Sequence, residues 1–192
     1  MKRLILFASG TGTNAENIIN YFNTGEQARV THVFSNNSSA PVLRKAFENN
    51  VKALHFDRES FYKTNDVLHI LKDANPDLII LAGFLWKFPE NIVNMFPNKI
   101  INIHPSLLPK YGGKGMYGSH VHKAVVENEE KETGITIHYI DEEYDQGSII
   151  FQARIPVEAE DTYKEVAKKV QQLEHKHFPR IIEKELLSHS IV

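Results

Sequence analysis

The chain has 192 residues, with 22 Lys plus Arg against 24 Asp plus Glu, 10 His and no Cys, for a formal net charge of −2. The lack of cysteine excludes a disulfide framework, a thiolate metal site and a cysteine nucleophile, and the mixed, near-neutral charge argues against nucleic-acid binding by bulk electrostatics. The length falls within the ~100–200 residues usual for one domain, so a single domain over 1–192 is expected. The longest apolar run, Leu78 to Trp86, is half the ~18 residues a membrane-spanning helix needs. Met1-Lys2-Arg3 and the five apolar residues after it are too short for a signal peptide. A cytoplasmic enzyme or binding protein is the expectation, with no nucleic acid and no membrane as partner.

Leu4–Ala8 reads as a strand covered on both faces, stopped by Ser9-Gly10-Thr11-Gly12. Asn14–Phe22 follows as a helix, with Thr13 and Glu16 spaced for a capping box. A strand over Val30–Phe34, a helix over Ala40–Asn49 and a strand over Ala53–Phe56 come next. Ser60–Lys72 reads as one helix with Phe61, Leu68 and Leu71 on one side. Leu78–Ala82 is the most apolar strand. Pro89–Phe96 is a short helix with Pro in its first turn, and Ile100–His104 is a fifth strand halted by Pro105. This alternation predicts right-handed βαβ units in a mostly parallel, open, twisted sheet. Past residue 105 the pattern changes. Lys110–Ser119 reads as a glycine-rich loop, with Ser119 capping a helix over His120–Glu127. Ile135–Ile140 and Ile149–Val157 read as an antiparallel pair, and Thr162–Leu187 as a long amphipathic helix bent near Pro179. The α/β chain thus divides into a phosphate-binding βα half, 1–105, and a half of catalytic loops, antiparallel strands and C-terminal helix, 106–192.

Ser9-Gly10-Thr11-Gly12-Thr13-Asn14 links a strand to a helix N-terminus, where glycines admit a ligand closely and unpaired N–H groups favour an anion. Gly10, Gly12 and Ala15 fit a relaxed dinucleotide fingerprint. The second strand, however, ends in Phe34-Ser35-Asn36-Asn37, with no acid to grip a ribose. The turn therefore reads as a monophosphate site. Asn102 and His104 share one face at the carboxyl end of a parallel strand. An amide and an imidazole there suit oxyanion stabilisation and proton movement, and they are equally compatible with a buried Asn–His pair. Leu108-Pro109 admits a cis bond. In Asp141-Glu142-Glu143-Tyr144-Asp145-Gln146-Gly147, Glu142 and Glu143 read as a solvated turn. Asp145 differs because Gly147 lets the chain turn tightly; a carboxylate aimed at His104 favours the protonated imidazole. His120-Val121-His122 and Glu174-His175-Lys176-His177 lack the spacing of a metal-binding helix pair, so no metal is expected.

The string Ile101-Asn102-Ile103-His104-Pro105-Ser106-Leu107-Leu108-Pro109-Lys110-Tyr111, with Asp145-Gln146-Gly147 downstream, resembles the folate-dependent formyltransferases. Val33–Asn36, Leu81–Phe84 and Gln172–His175 extend the match over nearly the whole chain. The glycine-rich first turn ending in Asn14 narrows it to the branch acting on phosphoribosylglycinamide. The resemblance implies a Rossmann-like formyltransferase fold that is a monomer or homodimer. It implies 10-formyltetrahydrofolate as the formyl-donating cosubstrate and phosphoribosylglycinamide as the acceptor. It further implies Asn102, His104 and Asp145 as the catalytic group, with Asp145 raising the pKa of a charged His104. Gly12, Thr13 and Asn14 would hold the substrate phosphate and Glu174 its amine or ribose side. Arg58, Leu85, Trp86, Lys87 and Phe88, with Asn102, would bind the folate. Two departures stand out. Lys87, beside Trp86, stands where relatives carry an Arg, and the Gly112–Ser119 loop is longer, leading to His120 and His122. The rival readings are a sister formyltransferase for another amine, a formyltetrahydrofolate hydrolase, and a phosphate-binding module, which leaves Asn102, His104 and Asp145 unexplained.

Overall fold

The computed structural model describes residues 1–141 and 145–188. In chain order the elements are β1 (Lys2–Phe7), α1 (Thr13–Phe22), β2 (Ala28–Ser35), α2 (Pro41–Glu48), β3 (Lys52–His55), α3 (Arg58–Tyr62), α4 (Asp66–Ala74), β4 (Leu78–Leu81), α5 (Glu90–Met95), β5 (Ile100–His104), α6 (Ser119–Glu127), β6 (Glu132–Tyr139), β7 (Ile149–Pro156) and α7 (Tyr163–Ser188). One sheet orders them β3-β2-β1-β4-β5-β6-β7. The first five strands are parallel, while β6 and β7 each run antiparallel to the strand before. This is the expected mostly parallel sheet with an antiparallel end and a long C-terminal helix.

β1 and β4 lie side by side at the centre, buried on both faces, which is why their sequences are apolar without alternation. Leu4, Leu6, Leu78 and Ile80 pack with Ile18, Phe178 and Ile182 of α1 and α7. Ile5, Phe7, Ile79 and Leu81 pack on the other face with Phe34, Phe61 and Phe88. Each fully buried side chain of this size contributes roughly 1.5–3 kcal/mol. Strand order reverses between β1 and β4. The crevice beyond their carboxyl ends is the place where open α/β sheets take ligands.

Several local expectations are corrected. Ser60–Lys72 is not one helix: Asn65 adopts a left-handed φ of 61°, separating α3 from α4. Asp57 instead makes a reciprocal capping box with Ser60. The box at Thr13 does not form, because Gly12 takes the N-cap with φ 70° and no side-chain cap bond exists; Glu16 reaches Lys45 at 2.6 Å. Ser119 is the first residue of α6 and Gly118 its cap. Leu108-Pro109 is cis, and Pro179 lies inside α7. The solvated turn at Glu142 and Glu143 lies outside the described residues. Among the described residues no helix is long and apolar enough to cross a membrane.

Candidate active site

A cavity of about 650 Å³ opens at the carboxyl ends of β1, β4 and β5. The turn after β1 gives it Ser9, Gly10 and Asn14, and β5 gives it Asn102 and His104. The glycine-rich loop before α6, His122, Asp145 and Glu174 complete the wall. Ser9 ties two edges together, since its hydroxyl donates to Asn36 Oδ1 at 2.6 Å and accepts from Leu85 N–H at 3.0 Å.

The β5–β6 pairing sets Asn102 opposite His138 and His104 opposite Thr136. His138 is fully buried. Its Nδ1 lies 2.9 Å from the Tyr139 carbonyl, which can only accept, so Nδ1 carries the proton. In the neutral ring Nε2 then accepts from Asn102 Nδ2 at 3.1 Å. By the same reasoning His104 Nε2 donates to the Tyr111 carbonyl at 2.7 Å. That leaves Nδ1 of the neutral ring as the basic nitrogen, 3.5 Å from Asp145 Oδ2. Asp145 Oδ2 also accepts from Gly113 N–H at 2.8 Å, and Oδ1 lies 3.6 Å from His138 Nε2.

Asp145 is turned in by its own backbone, whose φ is 55°. The expected cause, conformational freedom at Gly147, is not the operative one. A Cβ at Gly147 would lie 1.8 Å from the Tyr139 carbonyl oxygen, so glycine is required there by close approach to the end of β6. Electrostatics corrects a second expectation. Burial pushes the His104 pKa below the usual imidazole value, and the Asp145 charge and the Tyr111 bond only partly oppose it. The net effect favours the neutral ring. Burial acts to raise the Asp145 pKa, but its polar neighbours, the Gly113 N–H that donates to Oδ2 among them, outweigh it and hold the carboxyl below the usual carboxylate range.

On the opposite wall Asn14 Nδ2 donates to Glu174 Oε2 at 2.8 Å, clamping α1 to α7. Asn14 Oδ1 is buried without a partner. Burial raises the Glu174 pKa against that bond from Asn14. Gly12 and Thr13 sit just behind the wall. A Cβ at Gly12 would strike Val42 Cγ2 at 2.3 Å, and Thr13 Oγ1 accepts from Gln171 at 3.2 Å. Leu85, about half exposed, lines the cavity. Arg58, Trp86 and Lys87 form a neighbouring group outside its wall: the Arg58 guanidinium lies 4.7 Å over the Trp86 ring, and Tyr62 donates to the Lys87 carbonyl at 2.8 Å. Phe88 is a core side chain, edge-on to Phe7 at 5.0 Å, and its ring is not available to a ligand here. His120 is exposed, whereas His122 is buried in the wall with Nδ1 unpartnered. Burial, then the charge of His104, pushes the His122 pKa down to about 4. Among the described residues no cluster of three or more His, Cys, Asp or Glu could hold a metal ion.

Sequence reasoning thus brought together Asn14, Leu85, Asn102, His104, Asp145 and Glu174. It missed His138, the Tyr111 carbonyl and the Gly113 N–H. The signal for His138 was present, since Thr136 and His138 alternate with Ile135 and Ile137, but its use required the β5–β6 register.

The formyl transferase family model matches residues 2–182. The chain is 36% identical over 187 residues to the chloroplastic phosphoribosylglycinamide formyltransferase of Arabidopsis thaliana, a match covering 94% of this chain and 64% of the relative. It therefore spans under two thirds of that relative's length. It is 34% identical to the phosphoribosylglycinamide formyltransferase of Haemophilus influenzae, with 95% of this chain and 86% of the relative covered. The crystal structure of the phosphoribosylglycinamide formyltransferase from Anaplasma phagocytophilum superposes with a TM-score of 0.88 at 32% identity, over 97% of this chain and 87% of that one.

Proposed function

Because this chain belongs to the formyl transferase family, we propose that it transfers the formyl group of 10-formyltetrahydrofolate to the amine of phosphoribosylglycinamide in purine biosynthesis. The observation that carries the reading is the convergence of Asn102, His104 and Asp145 on one wall of a cavity whose opposite wall holds Asn14 and Glu174. In that arrangement the free N–H groups at the start of α1 receive the substrate phosphate. Glu174 and the unpartnered Asn14 Oδ1 offer acceptors to the amine or ribose.

The chemistry forms a bond from the glycinamide nitrogen to the formyl carbon and breaks that carbon's bond to the folate nitrogen. The second Nδ2 hydrogen of Asn102 serves the developing oxyanion; a donor of this kind is worth ~2.7–4 kcal/mol, or about 10²–10³ in rate. His104 Nδ1 takes the amine proton next to Asp145, which stabilises the imidazolium that results, and passes it to the leaving nitrogen. The residues present fit a folate donor. Leu85 gives an exposed apolar contact at the cavity, and the Arg58–Trp86 pair beside it offers a cation and an aromatic face. The reading includes one domain, a cytoplasmic location and a monomer or homodimer.

The test is the absorbance change as a 10-formylfolate loses its formyl group, with and without phosphoribosylglycinamide. A change that requires the amine is expected. Loss of the formyl group without the amine would identify a hydrolase, and no change in either case would overturn the reading.

A further inference from the structure

At the far end of the sheet, the amino ends of β1, β2 and β3 border a second cavity of about 650 Å³. Its wall carries Arg3, Arg29, His32 and Lys52 and no Asp or Glu. The strand register assembles them: Arg3 pairs with Arg29 across β1 and β2, and His32 pairs with Lys52 across β2 and β3. Arg3 and Arg29 are like charges directly opposed on neighbouring strands, which is destabilising, so this pair costs the fold something unless an anion completes it. Arg3 feels the Asp77 charge only at longer range. Among the described residues no ion pair joins Arg3, Arg29 or Lys52 to a carboxylate. Asp77 is engaged by Lys2 at 3.2 Å and by the backbone N–H of Arg3 at 2.7 Å.

We propose that this cavity binds a small oligophosphate anion, of the class of inorganic tripolyphosphate and nucleoside triphosphates. Its volume falls in the roughly 300–1,000 Å³ range of small-molecule sites. Guanidinium forks bind phosphate oxygens in pairs, and an ammonium adds a point charge. The cations are anchored on three neighbouring strands, two spacings or about 10 Å across, so a chain of phosphates can engage all three at once and fills more of the cavity than a single phosphate group. This end of the sheet is opposite the cavity at Asn102 and His104, so the ligand is neither of the reacting molecules.

The experiment follows backbone amide NMR signals of the intact chain during titration with tripolyphosphate, ATP and orthophosphate. Saturable shifts centred on Arg29–His32 are expected, with tripolyphosphate at least about tenfold tighter than orthophosphate and weakened by added salt. An Arg29→Gln/Lys52→Gln double variant, which touches only exposed side chains, should weaken binding at least about tenfold and leave formyl transfer unchanged. Equal affinities for ATP and tripolyphosphate identify the phosphates as the whole determinant, and tighter ATP adds contacts to the nucleoside. The proposal is overturned by shifts confined to residues 9–14, by equal binding in the double variant, by no saturable binding, or by an oligonucleotide that binds where tripolyphosphate fails to compete.

Discussion

His138 Nε2 meets Asn102 Nδ2 at 3.1 Å across the β5–β6 pair, while the other nitrogen of the ring is committed to the Tyr139 carbonyl. This contact fixes which way the Asn102 amide points: one N–H goes to His138, and the second remains for the cavity. His138 is thereby a positioning residue. His138→Phe, which keeps a ring but loses the acceptor, is expected to lower kcat about ten- to a hundredfold, short of the loss of a whole oxyanion donor, with KM little changed. His138→Gln, whose Oε1 can accept from Asn102, should recover part of it. Steady-state kinetics checks both, and a KM effect alone would argue that His138 only packs.

Under the proposed mechanism, protonation of His104 sets the acid limb of the rate profile. Burial lowers its pKa, and Asp145 is the largest opposing influence. Activity that needs the neutral base should therefore rise with pH through a value below the usual ~6.5 of histidine. Asp145→Asn removes the raising charge, so the limb in kcat/KM should move lower still while kcat falls. An NMR titration of the His104 ring, wild type against variant, reads the same shift directly.

Acid stability carries a mark of the same wall. The folded pKa of His122 is about 4, below the ~6.5 of an unfolded chain, so the unfolded state binds the proton first. Stability from this group is complete above pH ~6.5 and is lost as pH falls toward 4, by about 2 kcal/mol between pH 6.5 and 5 at 1.36 kcal/mol per unit. His104 and His32, also lowered by burial, act in the same direction. In His122→Gln the drop in urea midpoint between pH 7 and pH 5 should be smaller than in the parent.

Gly147→Ala tests the turn that delivers Asp145. Its Cβ would overlap the Tyr139 carbonyl oxygen at 1.8 Å, a backbone atom with no rotamer to yield. The substitution should cost about 1–3 kcal/mol, read from denaturant midpoints. It should also lower kcat in the surviving folded fraction, because Asp145 moves away from His104 and His138.

The parallel half of the fold was legible because its information is local. Fully buried strands read as apolar runs, and the two-residue spacing of Asn102 and His104 on β5 is enough by itself to put both on one face. What escaped depends on partners distant in sequence. His138 became visible only through the β5–β6 register, and the charge state of His104 only through the depth at which Asp145 and Tyr111 enclose it. Asn65 broke a helix that looked continuous because one left-handed residue leaves little trace in the apolar spacing. Thr13 lost its capping role because the turn that brings Ser9 and Gly10 to the cavity places Gly12 at the cap.

Asn14 and Glu174, whose side chains bond directly, stand 160 positions apart, and Asn17 reaches the His175 carbonyl over a similar separation. Contacts this far apart in sequence are slow to form, because the entropy of loop closure opposes them. The Asn14 side of the cavity is therefore a clasp between α1 and α7. On a ribosome α1 would emerge before α7 and wait, incomplete, until that helix followed. A ligand held between Asn14 and Glu174 would fasten that clasp and slow hydrogen exchange in α7, away from Asn102 and His104 on β5.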